Sequence, residues 1–254
     1  MKANYTNKKE MLKSKAEIHV EQMFDKYESE IELSIENSIV YRGAIKQSLY
    51  EEKCSQPNYS VEADFTEHSV SVHGDRWCVL NFASYKHAGG GFMGGAIAQE
   101  EALCHASTLY NVIGSERFED EYEANRAKRI SPLYENFAIY SPNIIFDVNG
   151  ESYNVNVITC PAPNISCYYG SYNSAKTAMK DRIKFILDIA SANRQSKLIL
   201  GAFGCGVFGN NPEVVAEYFA ELIPHYPNIT DVVFAIPDSN SKNYIAFANK
   251  FNNN

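Results

Sequence analysis

Residues 77–101 read WCVLNFASYKHAGGGFMGGAIAQEE: an apolar segment, a glycine-rich loop and two adjacent carboxylates in direct succession. The apolar residues 77–84 predict a buried strand that leads into the loop, and residues 96–113 predict a helix behind it. Five of the seven positions from 89 to 95 are glycine. A flexible linker would not explain the strand before these glycines or the helix after them, so the pattern predicts a strand–loop–helix ligand site.

A second glycine loop has the same context. The segment KLILGAFGCGVFGNNP (197–212) predicts a strand and a loop, and residues 212–223 predict a helix with Pro212 near its first turn. Nine of the fourteen glycines lie in these two clusters. Ligands bind at the carboxyl ends of strands in α/β sheets, so the two loops are expected to meet at one crevice. Their backbone N–H groups favour a phosphate or diphosphate over the alternative of two tight turns without a ligand.

The rest of the chain predicts an α/β fold. Helices are predicted at 10–27, 179–190 and 241–251, strands at 30–36, 153–164 and 230–238, a helix followed by a loop at 43–60, and a loop or helix at 115–129. Strands that alternate with helices indicate a sheet layered between helices. No convincing linker interrupts the pattern, so one domain is expected.

Composition excludes several classes of protein. A net charge of −8 argues against non-specific nucleic-acid binding, which depends on many Lys and Arg contacts to phosphates. No apolar run reaches the roughly 20 residues of a membrane span, and the N-terminal residues lack the apolar region of a signal peptide. The six cysteines, at 54, 78, 104, 160, 167 and 205, form no CxxC pair and lie mostly in apolar strings, which indicates reduced thiols and a cytoplasmic protein.

The adjacent acids Glu100 and Glu101 are the sharpest chemical signal. Neighbouring side chains on a helix diverge by about 100°. Glu100 and Glu101 are therefore not expected to lie on opposite sides of a substrate, as the two catalytic carboxylates of many glycosidases do. One carboxylate is expected to point into the crevice while the other orients a hydroxyl or the loop. The alternative is that acids are simply stabilised in the first turn of a helix by its dipole.

Both loops also match the dinucleotide pattern G-x-G-x-x-G, at Gly89, Gly91 and Gly94 and again at Gly204, Gly206 and Gly209. This makes a nicotinamide-dependent dehydrogenase an alternative. Such a fold needs an acidic residue at the end of the next strand, about 20 residues later, and neither loop has one there. The dehydrogenase is therefore disfavoured.

The residues described above resemble the bacterial type of poly(ADP-ribose) glycohydrolase, which is built on a macrodomain. The signature is Gly89-Gly90-Gly91, seven residues, then Gln99-Glu100-Glu101. The resemblance continues through NFAS (81–84), ALCHASTLY (102–110), YSPNIIF (140–146), VITCPAPN (157–164) and GAFGCGVFGNNP (201–212), and so covers roughly residues 75–240. Ala88 stands where the family often has proline.

The resemblance implies a macrodomain-like three-layer α/β/α fold with a mixed central sheet and an N-terminal helical extension. Residues 1–254 would form a single glycohydrolase domain, with a helix and strand extension at 1–60 packed on it. It also implies that Glu101 protonates the leaving ribose oxygen and then deprotonates the attacking water, while Glu100 holds ribose hydroxyls. The implied substrate-binding residues are Asn81, Gly89, Gly90, Gly91, Gln99, Gly204, Cys205, Gly206, Val207 and Phe208, with Phe208 packing on the ligand and no metal or cofactor required.

The implied substrate is an ADP-ribose polymer or an ADP-ribosylated macromolecule. The protein is expected to be a monomer. A binding module that reads ADP-ribose without turnover is the main alternative, and a hydrolase of mono-ADP-ribosylated protein or nucleic acid is another. The intact Glu100 and Glu101 favour an enzyme, because a reader has no need of the acid. No sequence feature assigns the contacts to adenine.

Overall fold

A mixed seven-stranded sheet forms the centre of the fold in the computed structural model, which describes residues 2–45, 49–52, 56–128 and 130–252. Its strands are β1 (Ile39–Arg42), β2 (Asn58–Glu62), β3 (Cys78–Phe82), β4 (Phe137–Val148), β5 (Glu151–Cys160), β6 (Lys197–Leu200) and β7 (Asp231–Ala235). They lie in the order β1-β4-β5-β3-β6-β7-β2. The pairs β1–β4 and β4–β5 are antiparallel and the other four are parallel. The predicted mixed sheet is confirmed.

Helices cover both faces of this sheet. They are α1 (Lys2–Asn37), α2 (Thr66–His73), α3 (Gln99–Ala106), α4 (Leu109–Ile113), α5 (Glu119–Ala127), α6 (Tyr172–Ala192), α7 (Pro212–Leu222) and α8 (Lys242–Phe251). Buried residues of α6, α7 and α8 form one hydrophobic core with the sheet, and buried residues of α1 to α5 form part of the other. With one core on each face of the sheet, the fold has three layers: helices, sheet and helices.

Alternation along the strands separates the two cores. In β3, Cys78 and Leu80 pack with α6 to α8, whereas Val79 packs on the other face. In β6, Leu198 and Ile199 divide in the same way. Successive side chains of a strand point to opposite faces, so strands buried on both sides are apolar throughout.

The strand predicted at residues 30–36 is wrong, because these residues continue α1. The segment EIELSIE alternates in a way that suits a strand, but its burial does not alternate: Ile31 is buried while Leu33 is half exposed. Met23, Tyr27 and Ile31 recur every four residues and pack into the core beneath α1. The backbone of α1 departs from helical geometry at Tyr27, so the helix is kinked at this residue and continues beyond it.

The helix predicted within residues 43–60 is also wrong at the described positions. Residues 43–45, 49–52 and 56–57 form no helix, and β2 begins at Asn58; residues 46–48 and 53–55 lie outside the described part of the chain. Strands β1 and β2 lie at the two opposite edges of the sheet. The segment 1–60 therefore contributes both edge strands, and the assignment of residues 1–254 to a single domain stays a prediction.

The helix predicted at 96–113 is two helices, α3 and α4. Ser107 between them is extended and bridges Phe146 of β4, and the Thr108 N–H donates to the Ile145 carbonyl at 2.9 Å. Strand β4 itself was not predicted, because Pro142 and Asn143 interrupt its apolar pattern where the register shifts by a bulge. Pairing with β4 is what divides the helix.

The remaining predicted elements are confirmed within a few residues. The helix at 10–27 lies in α1, that at 179–190 in α6, and those at 212–223 and 241–251 correspond to α7 and α8. The charged stretch at 115–129 contains α5, although Arg129 lies outside the described residues. None of the helices within the described ranges combines the length and apolar character needed to cross a bilayer.

Strands β3 and β6 are parallel neighbours, and each is followed by one of the glycine loops. The first loop, residues 83–98, leads from β3 to α3. The second loop, residues 201–211, leads from β6 to α7. Both therefore emerge at the same edge of the sheet, as predicted.

Candidate active site

Gln99 attaches the start of α3 to the end of β3. Its Oε1 accepts a hydrogen bond from the Phe82 N–H at 2.8 Å, and its Nε2 donates to the Leu80 carbonyl at 2.9 Å and to the Thr66 hydroxyl at 3.3 Å. The side-chain amide of Gln99 thus bonds to the backbone of β3 in the way that the backbone of a neighbouring strand would. The sequence predicts Gln99 as a substrate contact, but its amide groups are engaged inside the protein, and the structure supports a positioning role.

Glu100, the next residue, is buried against the end of the same strand. Its Oε2 accepts from the Ser84 N–H at 2.8 Å, and its Oε1 accepts from Asn81 Nδ2 at 3.2 Å. The pKa of Glu100 is raised to about 8, mainly by burial and to a smaller extent by the nearby charge of Glu101, while the hydrogen bonds from Ser84 and Asn81 oppose the shift. Glu100 is therefore largely protonated at neutral pH.

Glu101 is held beneath the first loop. Its Oε1 accepts a hydrogen bond from the Gly91 N–H at 2.8 Å. A Cβ atom at Gly90 would lie 2.6 Å from that same oxygen and 2.8 Å from Glu100 Oε2, and Gly90 has a φ of +60°. Only glycine permits both this backbone conformation and this close approach.

The two carboxylates therefore meet around Gly90, which differs from the divergence expected for neighbours on a helix. Each side chain accepts from a different backbone donor, Glu100 from the Ser84 N–H after β3 and Glu101 from the Gly91 N–H of the first loop. Because Glu100 holds a proton at neutral pH, the buried pair avoids carrying two negative charges side by side. The expectation that one carboxylate points into the crevice while the other orients a hydroxyl or the loop stays a prediction.

Two buried atoms at this point have no hydrogen-bond partner among the described residues. They are Glu101 Oε2 and Asn81 Oδ1. Asn81 is fully buried, and its Nδ2 donates to Glu100 and to Thr159 Oγ1. An unpaired buried acceptor is costly, and both atoms require a donor. Sugar hydroxyls and water are donors of the required kind.

The first loop uses most of its N–H groups internally. The N–H groups of Gly90, Phe92, Gly94, Gly95 and Ala96 donate to carbonyls within residues 87–92, and that of Gly91 donates to Glu101. The loop therefore does not form the open nest of donors that the glycine pattern predicts. Its role is to bring backbone against the two carboxylates with no side chain between them.

The second loop has the character predicted for an anion site. The N–H groups of Gly206, Val207 and Phe208 have no acceptor among the described residues. Hydrogen bonds to two carbonyls fix the backbone of this loop: Ser166 Oγ donates to the Val207 carbonyl at 2.7 Å, and the Ile165 N–H donates to the Phe208 carbonyl at 3.0 Å. Gly204, with a φ of +71°, closes the turn and accepts from Asn210. Three adjacent free donors suit a diphosphate.

Cys205 and Phe208 occupy different sides of this loop. The Cys205 thiol lies beneath it, 3.6 Å from the Phe203 carbonyl, and burial raises the pKa of Cys205 to about 12. That thiol is therefore not a nucleophile at neutral pH, and the role of Cys205 in substrate binding stays a prediction. Phe208 is half-buried, and its ring lies 6.5 Å from that of Tyr134, which stacks on Tyr85 at 4.6 Å.

An apolar cavity of about 470 Å³ opens between the two loops at the ends of β3 and β7. It is lined by Phe65, Phe82, Ile97, Ala202, Ile236 and Pro237, among others. Phe65 is 58% exposed and Ile97 is 66% exposed, so two large apolar side chains stand open at its rim. Such a cavity suits a flat, largely apolar group such as a purine base.

Sequence reasoning missed several of these residues. Ser84, Thr159 and Tyr134 contact site residues that lie far away in the sequence, and no local pattern marks their individual roles, although Ser84 and Thr159 fall within segments of the family resemblance. Phe65 and Pro237 follow strands β2 and β7, and their position after a strand is the one signal that would have identified them. Within the described ranges, no group of three or more His, Cys, Asp and Glu side chains could hold a metal ion.

The sequence and the structure are both similar to those of known proteins. The family model described as "Microbial-type PARG, catalytic domain" matches residues 6–147. The structure is similar to poly(ADP-ribose) glycohydrolase (PARG) from Thermomonospora curvata, with a TM-score of 0.82, 29% sequence identity, and coverage of 95% of this chain and 100% of that one. The same Thermomonospora protein bound to the inhibitor ADP-HPD gives a TM-score of 0.81 at 29% identity, with the same coverage.

PARG from Deinococcus radiodurans in complex with ADP-ribose is also similar, with a TM-score of 0.76, 30% identity, and coverage of 88% of this chain and 97% of that one. No curated protein sequence matches the chain. The predicted macrodomain-like fold is confirmed by these structural neighbours. By its family match and its fold, the chain belongs to the microbial-type poly(ADP-ribose) glycohydrolases, which are glycosidases.

Proposed function

We propose that this protein hydrolyses the ribose–ribose O-glycosidic bond of poly(ADP-ribose) and releases ADP-ribose. The observation that carries the proposal is the pair of buried acceptors without partners, Glu101 Oε2 and Asn81 Oδ1, at the point where the first loop meets α3. A ribose supplies hydroxyl donors there. The solved Deinococcus relative holds ADP-ribose, which supports the same ligand here.

The ligand has a natural orientation in the cleft. The free N–H groups of Gly206, Val207 and Phe208 suit its diphosphate, and the apolar cavity beside Phe65 and Ile97 suits its adenine. The ribose at the other end of the diphosphate then lies against Gly89–Gly91, Glu100 and Glu101. This orientation supplies the adenine contacts that the sequence leaves open.

Glu101 acts as the general acid and then as the general base. When substrate is bound, the proton of the buried pair passes to Glu101, which donates it to the bridging oxygen as the bond from that oxygen to the anomeric carbon breaks. This leaves an oxocarbenium-like ribose and a free hydroxyl on the departing chain. A water molecule then attacks the anomeric carbon and gives a proton to Glu101. Glu100, fixed by Ser84 and Asn81, then accepts from the ribose hydroxyls and orients the ribose.

The deciding experiment measures ADP-ribose released from poly(ADP-ribose) by mass spectrometry, for the wild type and for Glu101→Gln. Loss of a general acid slows such reactions by about 100- to 10,000-fold. Binding of ADP-ribose, measured by calorimetry, should remain, because Gln keeps the shape of the side chain and its acceptor toward the Gly91 N–H. The matched control is Glu213→Gln, an exposed acid in the first turn of α7, which should keep wild-type activity.

Two outcomes would contradict the proposal. A wild-type protein that binds ADP-ribose but releases none from polymer or from mono-ADP-ribosylated protein would be a reader. Equal activity of Glu101→Gln and wild type would remove Glu101 from the chemistry. The monomeric state and the cytoplasmic location stay predictions.

A further inference from the structure

A second polar cavity, of about 510 Å³, opens at the end of the sheet opposite the glycine loops. Its lining residues are Asp75, Arg76, Asn143, Asn154, Asn156, Arg194, Gln195 and Ser196, which we call the arginine groove. Arg76 and Ser196 precede β3 and β6, whereas the active-site loops follow these two strands. The groove is therefore separated from the active site by the length of the parallel strands.

The two arginines of the groove are uncompensated. Neither the Arg76 nor the Arg194 side chain has a hydrogen bond or an ion pair with any residue in the described part of the chain. Asp75 is the one acid in the lining, and its Oδ1 accepts the Asn154 N–H at 2.7 Å. Two cations face one acid here, in a protein whose net charge is −8. The groove is therefore locally positive although the protein as a whole is negative.

The floor of the groove is fixed by hydrogen bonds. Asn156 Nδ2 donates to Gln195 Oε1 at 2.8 Å, and Gln195 Nε2 donates to the Tyr140 hydroxyl at 3.0 Å. Asn156 Oδ1 accepts the Asn143 N–H at 3.2 Å. The side-chain amides of Asn143 and Asn154 make no such bonds within the described ranges and remain available as donors. A rigid floor with spare donors costs little to organise around a ligand.

The backbone of the groove carries an independent signal. Arg76, Asn143 and Arg194 have φ values of 68°, 58° and 56°, and they are three of the six described non-glycine residues with positive φ. Glycine adopts this conformation with less strain than arginine. The chain nevertheless places two arginines there, both lining one cavity. Backbone strain of this kind concentrates at functional sites.

We propose that the arginine groove binds a phosphate or diphosphate group. Guanidinium groups recognise phosphate oxygens through paired N–H donors, and the asparagine amides add neutral donors between them. This site is distinct from the phosphate-binding second loop, which uses backbone N–H groups alone. The inference stands on the groove itself and does not require the proposed glycohydrolase activity.

The test is a titration with inorganic pyrophosphate, followed by the backbone and side-chain amide resonances of the ¹⁵N-labelled full chain. Resonances of Asn143, Asn154 and Asn156 should shift for the wild type. In Arg76→Gly/Arg194→Gly these shifts should require at least about tenfold more pyrophosphate, because each charge-assisted contact contributes about that factor. Glycine relieves the positive φ at both positions, so the melting temperature should be kept or raised.

Two control variants separate charge and backbone effects. Lys180→Ala/Lys250→Ala removes two cations that pair with Glu221 and Glu217 elsewhere on the surface, and should leave the groove affinity unchanged. Asn149→Gly makes the same backbone change at another residue with positive φ, and should also bind normally. Absence of shifts in the groove, or equal affinity of wild type and the double arginine variant, would overturn the proposal.

A second titration identifies the source of the phosphate. Oligomers of poly(ADP-ribose) are added to Glu101→Gln, with and without the two arginine substitutions. Shifts in both the groove and the second loop would assign the groove to a diphosphate of the polymer. Shifts confined to the second loop, together with groove shifts from pyrophosphate, would assign it to a small free anion. The second-loop resonances report the proposed function separately from the groove.

Discussion

Single atoms decide the chemistry at the residue scale. Gly90 is required because its missing Cβ leaves room for Glu100 and Glu101, and Glu100 is protonated because burial disfavours its charged form. Gln99, between the loop and these acids, completes the hydrogen bonding of a strand end. The three consecutive residues of the signature thus have one shared purpose, which is to place Glu101 beneath a loop without side chains.

Gly90→Ala should abolish most activity. The added Cβ would lie 2.6 Å from Glu101 Oε1 at a φ of +60°, so either the loop or both carboxylates must shift. Gly94→Ala is the matched control, because its Cβ has nothing within 4 Å and its φ is not positive. Steady-state release of ADP-ribose should fall by at least about 100-fold for Gly90→Ala, since a displaced acid no longer transfers its proton. Similar rates for the two variants would contradict this account.

Glu100 should make the protein less stable as the pH rises. Its folded-state pKa is about 8, above the ordinary 4.5, so between these values the folded protein keeps a proton that the unfolded chain has released. The free energy of unfolding therefore falls as the pH rises through this window, by at most about 1.4 kcal/mol per pH unit, and the loss is complete above the folded pKa. Urea denaturation from pH 5.5 to 8.5 should show this loss for the wild type and a flatter profile for Glu100→Gln. Parallel profiles would exclude a raised pKa.

At the element scale, buried polar side chains join segments that are far apart in sequence. Arg182 of α6 is almost fully buried and donates to the carbonyls of Pro161, Tyr134 and Glu135 and to Asn136 Oδ1. It holds the segment 133–136 against the end of β5. Through Tyr134, which faces Phe208, the same contacts reach the second loop.

Arg182→Ala should destabilise the fold by at least about 3 kcal/mol, because it leaves several buried acceptors without a donor. The control is Arg126→Ala, an exposed arginine with one hydrogen bond to the Lys86 carbonyl, which should stay within about 0.5 kcal/mol of wild type. Chemical denaturation measures both. A small effect of Arg182→Ala would mean that water replaces the guanidinium without cost.

At the scale of the whole molecule, the protein has a net negative charge and yet belongs to a family whose substrate is a polyanion. The proposed active site resolves this with uncharged donors, since none of the residues at 81, 89–91, 99–101 and 204–208 is Lys or Arg. Backbone N–H groups attract phosphate without a surrounding field of positive charge. The selectivity of such a site rests on shape and donor position.

ADP-ribose binding should therefore depend weakly on salt. Between about 50 and 200 mM salt the Kd should stay within about threefold, because no Lys or Arg contact releases counterions, whereas proteins with many such contacts lose about 1,000-fold or more. Isothermal titration calorimetry at several salt concentrations measures this directly. Pyrophosphate binding to the arginine groove provides the internal contrast, since it should weaken clearly as salt rises. A steep salt dependence of ADP-ribose binding would indicate an arginine or lysine contact in the active site.

The sequence by itself determined the alternation of strands and helices, the two glycine loops and their common edge of the sheet, and the acids behind the first loop. These features depend on local periodicity and on glycine, whose effects act within a few residues. The errors at residues 30–36 and 43–60 arose where the apolar pattern suited more than one element.

Only the tertiary structure decided which polar atoms meet. The Ser84 N–H with Glu100, Asn81 with Thr159, and Arg182 with residues 133–136 join segments separated by 16 to 78 positions. The tertiary structure also decided that the first loop pairs most of its N–H groups internally, while three N–H groups of the second loop have no acceptor among the described residues. Burial and hydrogen-bond partners depend on packing between distant elements, and that packing is not written in any local pattern.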